Sequence, residues 1–349
     1  MPTIVLGGTG YVAGELLRLL ALHPQLRLAG IMSDGSPGEP VAAAFPHLAA
    51  AYPDEVFKSR AQLEAVLARE PLSAILAAAP HGVSAQLIDG LLAAAARAGK
   101  VARVVDSSAD FRYPTAAAYQ AVYGHPHGAP ERLAQFTCAV PEHLRELRTP
   151  HVSHPGCFAT TILLAAVPLL ALGLIEPQLF VAAVTGSTGS GRKPAATTHH
   201  PARHADFYAY GALAHRHGPE LAACALAATG VAANFAFVPH SGPYARGIHA
   251  TVQAVLKRPL DSGQLVAQLR DYYAHSPFVR VGSDPPRMKD IVASNYARLG
   301  AVSDGRTVAV MSVADNLAKG AAGGAVQWMN RLLGFAETSG LTAPAAGWT

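Results

Sequence analysis

The first 32 residues constrain the fold more than any other part of the chain. Thr3–Leu6 is a short apolar strand, Gly8-Thr9-Gly10-Tyr11-Val12-Ala13 follows it at once, Glu15–Leu20 repeats with helical period, and Leu26–Met32 reads as a second strand. A G-x-G-x-x-G/A pattern says little alone, but between a strand and a helix it has a mechanism. The glycines let the main chain approach a pyrophosphate, and the helix N-terminus holds its charge. Gly7, Gly8, Thr9, Gly10, Tyr11, Val12 and Ala13 are therefore candidate dinucleotide ligands. The second strand runs into Ser33-Asp34-Gly35-Ser36. Ser33 and Ser36 suit a ribose 2′-phosphate, whereas Asp34 turned inward would repel one, so these residues leave NADP and NAD both open.

The alternation continues with a helix near Ser59–Arg69, a strand at Ala74–Ala79, a helix at Ser84–Ala98 and a strand at Val101–Asp106. Strands separated by helices of this length give an α/β fold with a Rossmann-type, doubly wound parallel sheet. Two strand ends carry polar clusters where such sheets bind ligands: Pro80-His81-Gly82 and Asp106-Ser107-Ser108-Ala109-Asp110-Phe111-Arg112. After about residue 150 the character changes. Phe180–Thr185, Asn234–Pro239, His249–Leu256 and Val308–Val313 read as longer strands, with helices such as Ser262–Ala274 between them. This is an α+β domain with a mixed sheet. A helix at Gly323–Leu333 and a polar tail after Gly334 end the chain.

A length of 349 residues fits two domains, and 50% hydrophobic residues suffice for both cores. The net charge of +4 is spread along the chain with no basic run interleaved with aromatics, which argues against nucleic acid and fits a small anionic substrate. Three cysteines, far apart and odd in number, point to a reducing compartment, and the N-terminus lacks the features of a secretory signal, so a cytoplasmic location is expected. The longest apolar stretch, Ile162 to Ile175, is interrupted by Pro168 and Gly173 and falls short of the roughly 20 residues a membrane span needs. It reads as a buried core helix, with no membrane role.

Cys157 sits in Ser153-His154-Pro155-Gly156-Cys157-Phe158-Ala159. Pro155 and Gly156 break the preceding strand and an Ala/Leu-rich run follows, which places the sulfur at a helix N-terminus. Unpaired N–H groups and the positive end of the dipole favour thiolate there, making Cys157 a candidate nucleophile. Cys138 and Cys224 read as small buried hydrophobes. Gly186-Ser187-Thr188-Gly189-Ser190-Gly191-Arg192-Lys193-Pro194 is rich in backbone donors, hydroxyls and cations and suits an anion, but its glycine spacing is not that of a P-loop. His200 and His204 are four apart, yet Pro201 intervenes and nothing completes a ligand set, so no metal is expected. His215-Arg216-His217 has strand-like spacing, which would send the two rings to opposite sides. His240, with Arg246-Gly247 shortly after, is a further candidate partner for Cys157.

A dinucleotide fold, an activated cysteine and an anion-binding loop together suggest phosphorylating aldehyde dehydrogenase chemistry. In that light the chain resembles the N-acetyl-γ-glutamyl-phosphate reductases of arginine biosynthesis. The likeness is carried by Gly7-Gly8-Thr9-Gly10-Tyr11 with Glu15-Leu16, Pro80-His81-Gly82, Asp106 to Arg112, and His154-Pro155-Gly156-Cys157. Gly189-Ser190-Gly191-Arg192, His215 to Glu220, Pro239-His240 with Arg246-Gly247, and Asp315 to Gly323 extend it almost end to end. Departures are Ala13 for the third glycine of the turn, His154 for the usual Asn, Phe158 for Tyr and Ala159 for the common Pro. They touch substrate choice more than reaction type.

The resemblance implies Cys157 as nucleophile and a histidine of the His215–His217 segment, His217 ahead of His215, as acid–base. It implies NADP binding by the glycine turn with Ser33, His81, Gly82, Ser187, Gly189 and Asn316, NAD not being excluded. Substrate and phosphate would meet Ser108, Arg112, Ser190, Arg192, His240 and Arg246, with phosphate leaving through Arg112 and the Ser187–Arg192 loop. Residues 1–150, completed by 319–349, would bind the cofactor, and 151–318 would be the catalytic and oligomerising domain of a homodimer or homotetramer. Two rival readings remain: a carrier-protein-linked aminoadipyl-phosphate reductase of lysine biosynthesis, and a dinucleotide-sensing protein without chemistry. Aspartate-semialdehyde dehydrogenase shares the architecture but fits the motifs less well.

Overall fold

The computed structural model describes residues 1–33 and 35–347; Asp34, on which the reading of cofactor preference partly turned, lies outside the described residues. The chain forms two compact units. The first comprises Met1–Cys138, Glu146–His154 and Ala321–Thr342, and the second Ala139–Arg145, Pro155–Gly320 and the described residues from Ala343 on. The division expected at residues 150 and 319 thus differs at its edges: 151–154 go with the first unit, and 139–145, 319–320 and the described residues after 342 with the second.

In the first unit six strands, β1 (Pro2–Leu6), β2 (Arg27–Met32), β3 (Leu72–Ala77), β4 (Val101–Asp106), β5 (Phe136–Cys138) and β6 (His151–Ser153), form a sheet of order β2-β1-β3-β4-β6-β5. Every pairing is parallel. The order reverses between β1 and β3, so the crevice where doubly wound sheets bind ligands lies at the end of β1. β1 and β3 are apolar and almost wholly buried, as expected of strands covered on both faces. The helix Gly323–Leu332 packs against the helix Tyr11–Leu20 and buries Trp328 completely. The tail beyond it folds back: Asn330 Nδ2 donates to the carbonyls of Glu337 and Ser339, its Oδ1 shares a 3.0 Å hydrogen bond with His23 Nε2, and Leu341 is buried.

The second unit is built on seven strands, β7 (Ile175–Thr185), β8 (Tyr208–Ala209), β9 (Asn234–Ser241), β10 (Ile248–Leu256), β11 (Val279–Gly282), β12 (Ala297–Ser303) and β13 (Thr307–Ala314), in the order β11-β12-β13-β10-β7-β9-β8. The pairs β11–β12 and β7–β9 are parallel and the rest antiparallel, so the sheet is mixed. The helix Cys157–Ala171 lies across β7, β10 and β13 and is buried from Phe158 through Leu170, which explains its unbroken apolar sequence. The stretch is the buried core helix expected; it runs through Pro168 and ends before Gly173, whose φ is +65°. Proline at 168 leaves the Leu164 carbonyl without its helical donor. Tyr273 Oη supplies one instead, at 2.7 Å.

The other face of this sheet carries Phe180, Val255 and Val302, each between 42% and 54% exposed. Pairing of Phe180 with Gln253, Gln253 with Ala309 and Ala309 with Val302 puts all three side chains on one side. No described helix is long and apolar enough to cross a membrane.

Candidate functional site

Cys157 occupies the first turn of its helix. Gly156 is the N-cap, with extended φ −60° and ψ 155° and no side chain to cap the turn, so the sulfur stands among N–H groups that lack helical acceptors. Such a position favours a negative charge by about 0.3–1 kcal/mol. The thiol is partly exposed. The turn is fixed from below: the Glu220 carboxylate, wholly buried, accepts the Gly156 N–H at 2.6 Å. Gly320 closes from another side, since a Cβ there would lie 2.8 Å from the Cys157 Cβ and 3.0 Å from its Cα. Tyr210 is close enough to feel the sulfur; burial first, and the Cys157 charge second, push its hydroxyl up to about 12.

Glu220 belongs to the helix His217–Thr229, which packs against the Cys157 helix and begins at the candidate acid–base residue. The strand-like spacing expected of His215-Arg216-His217 is overturned. Arg216 has helical φ −55° and ψ −20°, and the His215 Nδ1 accepts the His217 N–H at 3.1 Å, so the segment is a turn into a helix. Both rings therefore lie on one side, 4.8 Å apart, with centroids 5.8 and 6.2 Å from the ring of Phe158 beside Cys157. Burial, reinforced by the Arg216 charge, lowers His215 to about 4. It is neutral at physiological pH, with one ring nitrogen committed to the main chain. His217 is buried.

The loop after β7 starts as a single tight turn, Ser187–Ser190, whose base is clasped by the segment 244–247. Ser187 and Thr188 N–H donate to the carbonyls of Tyr244 and Ala245, and Gly186 to Gly247. Asn316 completes the clasp, donating to Thr188 Oγ1 at 3.0 Å and accepting from Gly247 N–H at 2.7 Å. Gly189, Ser190 and Arg192 form the exposed tip. Arg246 has a different engagement: its Nε and Nη2 bind the two oxygens of the buried Asp315 at 2.7 and 2.9 Å. Asp315 also accepts from the N–H groups of Ala293, Leu317 and Ala318. His240 stacks on Phe207 at 5.2 Å.

In the first unit, β1 ends in Gly7 (φ +127°) and Gly8 (φ +54°), and Gly10 is the N-cap of the next helix with no side-chain cap. A Cβ at Gly7 would lie 2.5 Å from the Ala78 carbonyl oxygen, and one at Gly8 3.1 Å from Ser33 Oγ. Gly14, beside Ala13, meets Phe45 in the same way, at 2.6 Å. The result is a side-chain-free cradle at a helix start, which a dinucleotide pyrophosphate fits. Next to β3 and β4, buried carboxylates set the loops. Asp110 accepts from Gly82 N–H at 2.8 Å and Ala85 N–H at 3.0 Å, and His81 Nδ1 from Ala109 N–H at 2.9 Å. Ser108 Oγ donates to Asp106 at 2.6 Å, and Arg112 donates to the carbonyls of His154 and Ser107. Asp106 is raised to about 6 by burial.

Residues 3–136 match the semialdehyde dehydrogenase NAD-binding domain and residues 157–316 the semialdehyde dehydrogenase dimerisation domain. An N-acetyl-gamma-glutamyl-phosphate reductase of Nitrosococcus oceani is 39% identical over 97% of this chain and 96% of its own. One of Methanopyrus kandleri is 37% identical, covering 97% of each. The chain belongs to the N-acetyl-gamma-glutamyl-phosphate reductase family. Among solved structures, aspartate semialdehyde dehydrogenase II of Vibrio cholerae superposes with a TM-score of 0.69 at 16% identity, over 95% of this chain and 97% of that one. A probable aspartate-semialdehyde dehydrogenase of Pseudomonas aeruginosa gives 0.64 at 18%, over 95% and 98%. At such identities the likeness establishes the fold that this reductase family shares with them.

Several residues at this reductase's cysteine escaped the sequence reading. Glu220 and Gly320 were visible only as parts of motifs, and Tyr210 carried no local signal, because each acts through a contact far away in sequence. Among the described residues no group of three or more His, Cys, Asp or Glu side chains is placed to hold a metal ion.

Proposed function

We propose that this chain is an NADPH-dependent reductase of N-acetyl-γ-glutamyl phosphate, forming N-acetylglutamate semialdehyde and phosphate for arginine biosynthesis. The observation that carries the reading is Cys157 at an uncapped helix start, with Glu220 on the preceding N–H and two histidine rings beside Phe158. Cys157 Sγ attacks the acyl carbon, the bond to the phosphate oxygen breaks, and phosphate leaves with the electron pair, giving a thioester. N–H groups of the helix start stabilise the oxyanion that develops, a contribution of about 3 kcal/mol per donor. The exposed tip Gly189–Arg192 receives phosphate. Gly7–Ala13 with Ser33, His81 and Gly82 would hold NADPH, the reduced cofactor, which would supply the hydride for the thioester. Thiolate is then regenerated as the thiohemiacetal collapses, with His217 moving the proton. Neutral His215, its Nδ1 already used, orients His217 rather than replacing it.

The exposed apolar positions Phe180, Val255 and Val302 support self-association through the outer face of the second sheet, as a homodimer or a tetramer of such dimers. Three cysteines, odd in number and far apart in sequence, fit a reducing, cytoplasmic setting. The testing experiment runs the reaction backwards with N-acetylglutamate semialdehyde, phosphate and either NADP or NAD, following reduced cofactor by absorbance. Phosphate-dependent reduction of NADP is expected. Folded protein that reduces neither cofactor with this free semialdehyde refutes the proposal and favours a carrier-linked substrate.

A further inference from the structure

The second unit holds a buried guanidinium that none of these roles employs. Arg203 ends the short helical turn His200–Arg203, is 8% exposed, and donates through Nη1 to the Asp206 carbonyl at 3.0 Å. Its Nε and Nη2 are buried with no acceptor among the described residues. These two atoms form one edge of the guanidinium plane and point their N–H bonds the same way, the geometry that receives both oxygens of a carboxylate or phosphate. Arg246 shows that edge at work, with Nε and Nη2 on the two oxygens of Asp315. A buried charge left without an acceptor is costly, so the Arg203 edge points to a ligand.

A second donor stands with it. The Tyr244 hydroxyl is also buried without a partner among the described residues. The Arg203 charge acts on that phenol, opposing the burial that holds its pKa above the usual range. Tyr244 is anchored where the proposed chemistry needs it, for its carbonyl accepts the Ser187 N–H at 2.9 Å. From Asp206 the chain runs into β8, which pairs with the end of β9 through Tyr208–Ser241 and Ala209–His240. β9 also carries Phe237, packed edge-on at 5.3 Å against Phe158, the neighbour of Cys157. Four residues along a strand span about 13 Å. The pair thus belongs to the end of the sheet where the Cys157 helix begins.

We propose that Arg203 and Tyr244 form an oxyanion subsite, and that the group it takes is the carboxylate at the non-reacting end of the substrate. The inference rests on the acyl-phosphate reductase reading. A carboxylate puts its two oxygens on Nε and Nη2 and takes a third hydrogen bond from Tyr244; a substrate with a neutral end leaves the guanidinium unpaired.

The test compares N-acetylglutamate semialdehyde with its α-methyl ester in the phosphate-dependent reverse reaction, using wild type, Arg203→Met, Arg203→Lys and Tyr244→Phe. Wild type should prefer the acid by about 100-fold in kcat/KM. Arg203→Met should lose about 100-fold on the acid, mostly in KM, and about 3-fold or less on the ester, with Arg203→Lys between and Tyr244→Phe losing about 10-fold on the acid. Equal losses on both substrates would mean a structural role and overturn the subsite. A raised KM for phosphate with the semialdehyde KM unchanged would also overturn it, because Arg203 would then hold inorganic phosphate. Calorimetric binding of N-acetylglutamate and its α-methyl ester separates this inference from the reading beneath it. If wild type turns over neither semialdehyde yet binds the acid at least 10-fold tighter than Arg203→Met does, the reaction is wrong and the subsite stands; equal binding removes the subsite.

Discussion

The two glycine-capped helix starts of this protein are nearly the same object used in two ways. Gly10 and Gly156 both sit extended, at φ −70°, ψ 158° and φ −60°, ψ 155°, and neither receives a side-chain cap. What differs is the surroundings. Ahead of Gly10 two glycines with positive φ strip the approach of side chains, and the first helical residue, Tyr11, is 39% exposed. Ahead of Gly156 stands Pro155, the next helix is buried from its second residue, and the buried Glu220 carboxylate already occupies the N-cap N–H. The first start is open on its approach side, while at the second the protein's own Glu220 carboxylate already takes the N-cap donor.

Four experiments would break or sharpen that contrast. Cys157→Ser should lower turnover by about 10⁴-fold or more, with cofactor affinity intact by fluorescence titration; substantial residual activity would remove the nucleophile from the second start. Gly320→Ala, whose Cβ meets Cys157, should cost about 100-fold in kcat by displacing the sulfur, and a variant as active as wild type would show that the contact constrains nothing. Gly7→Ala should weaken cofactor binding about 10-fold or more while iodoacetamide still alkylates Cys157 at the wild-type rate. Glu220→Ala strands a buried N–H, a change of about 1–3 kcal/mol, and should slow that alkylation several-fold, with Glu220→Gln restoring most of it because an amide oxygen still accepts.

The smallest effect is on stability. Burial, as the largest cause, lowers His151 in the first unit and His143 and His215 in the second to about 4. Unfolded, each protonates near 6.5. Between those values the unfolded chain binds more protons, so the stability these residues contribute is full above about pH 6.5 and is lost as pH falls towards 4. Urea midpoints at pH 7.5 and 5 should differ, and His215→Asn, which keeps an acceptor for the His217 N–H, should narrow the gap. An unchanged gap would mean that His215 is not shielded.

Much of this was legible from the residues because it is local. The strand–glycine–helix unit, the parallel alternation and the Cys157 helix start depend on neighbours within a few positions. Strands β5 and β6, three residues each, are too short to show a period, and β8 shorter still. The His215–His217 segment failed for a sharper reason: alternation in three residues cannot distinguish a strand from a turn whose first ring nitrogen binds the third residue's N–H. The donor that replaces the N–H missing at Pro168, Tyr273, lies 105 positions later and so was invisible to any local reading. The roles of Gly320, Glu220 and Arg203 likewise rest on partners that no local window contains.

The sheet of the second unit has one consequence for how this protein would be handled. β7 and β10 send alternate residues inward, against the Cys157 helix, and outward, where Phe180 and Val255 meet solvent. Assembly and catalysis would then be two readouts of one sheet a single residue thick. Specific activity should fall on dilution below the dissociation constant of the assembly and recover on concentration, so a kinetic constant from dilute enzyme would describe a mixture of species.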